Sequence, residues 1–146
     1  VDLDYLIAPV GGGGLLAGTC LAAKYFSPHV SVFAAEPAGA ADTKLSFQYG
    51  NIQKADYIRT IADGLLTTIG IKNFAIIKNR IEDVLLVSDP EIIEAMRYLW
   101  ERMKLVVEPS GAVSLAALLK NKELFAGKKV GVILSGGNVD LGQLSF

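Results

Sequence analysis

Gly11-Gly12-Gly13-Gly14 stands between the apolar run "LIAPV" and the helix-like "LLAGTCLAAKYF". Four glycines in a row cost conformational entropy on folding, and one would serve a plain turn. Without Cβ atoms, the backbone N–H groups of such a loop can approach a ligand closely. The helix that follows adds partial positive charge at its N-terminus, which makes an anion site and above all a phosphate site. Gly12, Gly14 and Ala17 also satisfy G-x-G-x-x-A, and Glu36 ends the next strand-like run where a ribose-binding acid would stand. A nicotinamide- or nucleotide-binding Rossmann domain is therefore one reading of the loop. A non-catalytic phosphate- or metal-binding regulatory domain is another.

Other reactive side chains are few. Cys20, the single cysteine, falls within the first helix pattern and reads as a buried, inert thiol; it allows no internal disulfide and suits a reducing compartment. His29, the only histidine, sits in the "SPHV" turn and reads as an exposed turn residue. Trp100 and the Met96/Met103 stripe read as core at helical spacing.

The elements that must position these residues follow from patterning. Leu3–Ala8 is an apolar strand too continuous to have one face in water. Leu15–Phe26 is a helix stopped by Ser27-Pro28, and Val30–Ala35 a second strand running into Glu36-Pro37. This is a βαβ unit, so the two strands are expected to be parallel. Residues 38 to 70 read mostly as loop with one or two short helices, and contain "IADGL". Ile71–Arg80 is predicted helical and Asp83–Val87 a strand. Ser88-Asp89-Pro90-Glu91 is a capping box opening a helix with Ile92, Ile93, Met96, Leu99, Trp100 and Met103 on one face. Ser110–Leu119 is a shorter helix, and Lys128–Leu134 a last strand that runs into "SGGN", Ser135–Asn138.

The 146 residues carry 14 Lys plus Arg against 15 Asp plus Glu, and 51% are hydrophobic. That composition excludes a disordered chain and gives no electrostatic case for nucleic acid or an anionic membrane as partner. The apolar runs are too short to span a bilayer, and no secretory signal is visible, so a cytoplasmic setting is expected. The opening "VDLDYLIAPV" enters a strand almost at once and lacks Met, which reads as a piece of a longer polypeptide.

"GGGGLLAG", "EPAGAAD", "IADGL", "WERMKLVVEPSGA" and "LSGGNVDL", in this order and spacing, resemble the C-terminal half of the fold-type II pyridoxal-phosphate (PLP) enzymes, in the serine racemase and serine/threonine dehydratase group. The resemblance covers essentially the whole chain. It implies an α/β fold: residues 1–146 as the C-terminal portion of an incomplete, parallel-sheet, tryptophan synthase β-like large domain. It implies that Gly11, Gly12, Gly13, Gly14 and the amide of Leu15 cradle the cofactor phosphate. Ser135 matches the serine at the pyridine nitrogen, where a hydroxyl leaves the ring largely unprotonated. Glu108 matches a glutamate near the ring; capping the start of the Ser110 helix is its equal alternative. Glu36, Ala40 and Asp42 match a divalent-cation site of hard oxygen ligands suited to Mg²⁺, Ca²⁺ or Mn²⁺. Many relatives carry two aspartates where this chain has Ala41-Asp42, and Asp42 as a cap of the following segment is the alternative. Lys104 and Asn138 match contacts to an activating nucleotide between subunits.

The implied reaction is racemisation of serine, or elimination of water from serine or threonine to the 2-oxo acid and ammonia, in a homodimer. Both begin by removing the α-proton, which in this family needs a lysine in an "S-x-K-x-R-G"-like segment. No such segment occurs in this sequence. The resemblance therefore implies no catalytic residue on this chain and no turnover by it alone.

Overall fold

The computed structural model describes residues 2–140 and 142, so Val1 and Leu141, the last residue of "LSGGNVDL", lie outside the described residues. Among the described residues, four strands form one parallel sheet: β1 (Tyr5–Pro9), β2 (Ser31–Pro37), β3 (Val84–Val87) and β4 (Val130–Val132), in the order β3-β2-β1-β4. Between them run α1 (Gly14–Phe26), α2 (Asp42–Tyr49), α3 (Ile71–Ile77), α4 (Asp89–Tyr98) and α5 (Pro109–Lys120).

Period-2 alternation sends neighbouring strand residues to opposite faces. Ile7, Phe33, Ala35, Leu85 and Val87 join Ile92, Ala95 and Met96 of α4 and Val113, Ala116 and Ala117 of α5 in one core. Ala8, Val10, Val32, Ala34 and Val84 join Leu16, Ala17 and Cys20 of α1 and Phe74 and Ile77 of α3 in the other. Covering both faces explains why these strands read as unbroken apolar runs.

The βαβ unit is as expected: Tyr5 to Pro9 pair in parallel with Ser31 to Ala35. The weakly patterned stretch holds one helix, α2, and two 3₁₀ turns at Ala38–Ala40 and Asp63–Leu65. Two predicted elements are too long. α3 stops at Ile77, and β4 pairs only from Val130 to Val132, although the Ile133 amide still donates to the Ile7 carbonyl (3.0 Å). The capping box forms, with the Ser88 N–H (2.7 Å) and hydroxyl (2.9 Å) both donating to the Glu91 carboxylate. Ser88→Ala is expected to cost about 1 kcal/mol of unfolding free energy, read from a shifted denaturant midpoint at unchanged slope.

Met103 corrects the expected stripe. Residues Leu99–Met103 form a π-helical turn that continues α4, and its wider winding breaks the 3.6-residue periodicity. Met96 and Leu99 stay buried, Trp100 is half-buried with its indole N–H donating to the Val107 carbonyl (3.1 Å), and Met103 is 53% exposed.

Candidate functional site

The order β3-β2-β1-β4 places β1 between strands that lie on opposite sides of it in the chain's winding. In open α/β sheets such a switch point leaves a crevice beyond the carboxyl ends of the strands. The glycine loop leaves the carboxyl end of β1, and the "SGGN" turn follows β4 beside it. An open cavity of about 190 Å³ lies there, lined by Pro9, Gly11, Gly12, Gly13, Gly14, Leu15, Gly64, Leu65 and Ser135. The fold thus brings the tetraglycine, Leu15 and Ser135 together.

Gly13, with φ 84°, is the N-cap of α1, and a Cβ there would lie 2.9 Å from Ile69 Cγ1. Gly11 meets the opposite wall: its Cβ would stand 3.0 Å from the Leu65 Cα. A Cβ on Gly14 would meet nothing within 4 Å. The first intrahelical bond runs from the Ala17 amide to the Gly13 carbonyl (2.9 Å). The amides of Gly14, Leu15 and Leu16 therefore have no partner within the helix, and the first turn carries no acid and no capping side chain. This cradle has the shape and polarity to take an anion.

Glu108 does not cap its helix with its side chain. Its carboxylate accepts the Asn138 N–H (2.8 Å), and its own N–H donates to the Gly136 carbonyl (3.1 Å). A Cβ on Gly136 would fall 2.5 Å from Glu108 Oε1, and one on Gly111 would strike the Gly136 carbonyl. Glycine at these positions lets the start of α5 lock the turn that presents Ser135.

Glu36 and Asp42 are both buried, at 1% and 2% exposure. Glu36 accepts the amides of Thr43 (2.8 Å) and Lys44 (2.9 Å), so this strand residue caps α2 from outside the helix. Asp42 is not the cap; its carboxylate accepts the Ile69 N–H (3.1 Å). Burial pushes the Glu36 carboxyl up to about 7, opposed by the Lys44 and Thr43 amides and reinforced by the Asp42 charge. Burial raises Asp42 as well. Enclosed beneath α2, Glu36 does not present itself to a ribose, and the nucleotide-binding reading loses its acid. Among the described residues no three His, Cys, Asp or Glu side chains gather as a metal site, so a cation here would depend on the Ala40 carbonyl and water.

Lys104 has a left-handed backbone (φ 58°), and its Nζ donates to the Glu101 carbonyl (2.8 Å). Both Lys104 and Asn138 are exposed. Cys20 is buried, its thiol pushed up to about 11 by burial, and exposed His29 contacts Asp2 (2.8 Å). Besides Pro9 at the end of β1, Gly64 and Leu65 are the lining residues that the motifs did not assign. They carry no chemical signature, and only the "IADGL" match pointed to their segment.

The family model for pyridoxal-phosphate dependent enzymes matches residues 1–136. The serine racemase of Dictyostelium discoideum is 55% identical over 148 residues, which covers 99% of this chain and 46% of that protein. The beta-hydroxyaspartate dehydratase of Paracoccus denitrificans is 47% identical, at 99% and 46% coverage. Among solved structures, maize serine racemase superposes with a TM-score of 0.92 at 41% identity, covering 97% of this chain and 44% of that one. The chain spans about half the length of the curated relatives it matches. With a glycine cradle at the switch point of a parallel sheet and this likeness along nearly its whole length, the chain belongs to the family of pyridoxal-phosphate-dependent enzymes.

Proposed function

We propose that this chain supplies the phosphate- and ring-nitrogen-binding side of an enzyme acting on serine, threonine or a similar hydroxy amino acid, by racemisation, by elimination of water followed by hydrolysis to the 2-oxo acid and ammonia, or by both. The carrying observation is the convergence of the glycine loop, Leu15 at the start of α1 and Ser135 on one cavity. Pyridoxal phosphate, when bound, supplies the electron sink that makes an amino acid's α-proton removable. The residues fit it. The backbone N–H groups of Gly11, Gly12, Gly13, Gly14 and Leu15, with the α1 dipole, hold the phosphate. The Ser135 hydroxyl would hold the ring nitrogen and leave it largely unprotonated, a weak sink suited to both reactions. Glu108 fixes the turn that carries Ser135.

The proton shuttle comes from outside this sequence. The described lining contains no lysine, so a lysine from another part of the parent protein covers the crevice and moves the α-proton. These 146 residues therefore bind the cofactor and do not turn over substrate. Glu36, the Ala40 carbonyl and Asp42 hold Mg²⁺, Ca²⁺ or Mn²⁺. The support is that two buried carboxylates raised by burial have hard oxygens to offer and no Lys or Arg ion pair among the described residues. In the intact homodimer, Lys104 and Asn138 take a nucleotide effector, in a cytoplasmic setting.

Thermal unfolding of the chain with separate additions of pyridoxal phosphate and NAD tests the reading. Only a ligand of the native state stabilises it, by about 2.7 kcal/mol at one hundred times its Kd. A rise in Tm with pyridoxal phosphate, none with NAD and no ammonia from serine or threonine is the expected result. Preferential stabilisation by NAD overturns the cofactor assignment, and turnover by the chain alone overturns the missing-lysine assignment.

A further inference from the structure

The cavity wall facing the glycine cradle is Gly64 and Leu65, the end of a short segment that begins at Thr60 and is held from both α4 and α5. From the first turn of α4, half-buried Asp89 takes the Thr60 hydroxyl on Oδ1 (2.5 Å) and the Ile61 N–H on Oδ2 (3.2 Å). Thr60 Oγ1 in turn accepts the Ala62 N–H (3.2 Å). From the start of α5, the buried hydroxyl of Ser110 accepts the Gly64 N–H (3.0 Å), which Asp63 Oδ1 shares (2.9 Å). The wall meets the floor at the Leu65 Cα, 3.0 Å from the point where a Gly11 Cβ would stand. A shift of the wall therefore changes the width of the crevice directly.

We propose that Asp89 is a positioning residue of this pocket. Its carboxylate reads one hydroxyl and one amide, and through them sets the place of Gly64 and Leu65 against the glycine loop. Asp89 does not need this role to serve α4, whose capping box is made by Ser88 and Glu91. It sits 29 positions from Thr60, so the contact joins the wall to a different layer of the fold. Ser110 anchors the far end of the same turn, and the two pins act on one short segment. That the pocket so shaped receives pyridoxal phosphate rests on the reading above.

Four variants of the chain test this: Asp89→Ala, Asp89→Asn, Thr60→Val and the double Asp89→Ala/Thr60→Val. Amide hydrogen exchange is measured without ligand, and pyridoxal phosphate affinity by fluorescence titration. A lost charge-assisted hydrogen bond corresponds to about tenfold, so each of Asp89→Ala and Thr60→Val is expected to speed exchange at Ile61, Ala62 and Gly64 by about that factor, with β1 and α1 unchanged. Affinity falls by about the same factor, the double variant is no worse than the singles, and Asn, which keeps an acceptor oxygen, restores part of both. Exchange at these amides like that of the parent chain overturns the proposal. So does an even increase over the whole chain, which marks a merely structural residue that Asn and Thr60→Val would not single out. A parent chain that binds no pyridoxal phosphate overturns the cofactor reading instead, and the exchange pattern then decides the pin by itself.

Discussion

A Gly14→Asp chain is expected to keep its fold and lose pyridoxal phosphate. Gly14 is the first residue of α1, its φ is not left-handed, and a Cβ there meets nothing within 4 Å, so the side chain has room. An acid in the first helical turn is favourable by about 0.3–1 kcal/mol, because it faces the positive end of the dipole. That end is the proposed seat of the phosphate. A fixed carboxylate there occupies the free amides and repels a dianion, and like charges set against each other cost several kcal/mol. Affinity is expected to fall by about 100-fold or more, equivalent to roughly 3 kcal/mol, while Tm holds or rises. Gly14→Ala separates space from charge and is expected to lose far less. Titration of both variants with pyridoxal phosphate, alongside thermal unfolding, gives the answer. Undiminished binding in Gly14→Asp would mean that the phosphate does not lie at the start of α1.

The second large effect lies in the pH dependence of stability. In the unfolded chain Glu36 titrates near its ordinary value of 4.5, and burial moves it to about 7 in the fold. Between those values the native state holds a proton that the unfolded state has released. Stability from this group is thus fully present below the unfolded value and is lost as pH rises through 7, by at most about 3 kcal/mol. Asp42, also raised by burial, acts in the same direction. In chelator the chain is expected to be less stable at about pH 8 than at about pH 5, and Glu36→Gln flattens most of that slope. Divalent cation reverses the order at the higher pH, since it binds the ionised pair and stabilises only the chain that has both carboxylates. Denaturant titrations across pH, with and without Mg²⁺, measure all of this. A parent chain whose stability rises from about pH 5 to 8 in chelator contradicts the burial account, and indifference to Mg²⁺, Ca²⁺ and Mn²⁺ removes the cation site.

The glycine loop was legible because four glycines between a strand and a helix leave few uses beyond a close backbone approach. The capping box over Ser88–Glu91 was legible because both partners lie within one turn. Glu36 was visible as an acid at a strand end, but whether it met a ribose, a cation or a helix could not be told from its spacing. Its burial under α2 decided against the ribose. Met103 was misplaced because helical periodicity assumes uniform winding, and the π turn at Leu99–Met103 breaks it.

By itself the sequence determined the α/β class, the parallel pairing of β1 with β2 and the family, since local periodicity, turn chemistry and ordered motifs carry that information within short windows. Only the tertiary structure decided that the sheet runs β3-β2-β1-β4, which makes β1 the switch point and brings Ser135 to the glycine loop. It alone showed Glu108 gripping the "SGGN" turn and Asp89 gripping the wall at Thr60. Those contacts join residues about 30 positions apart, through hydrogen bonds whose partners no local pattern names. The chain's composition provides the donors and acceptors, and the packing of two helical layers on one sheet chooses which of them meet.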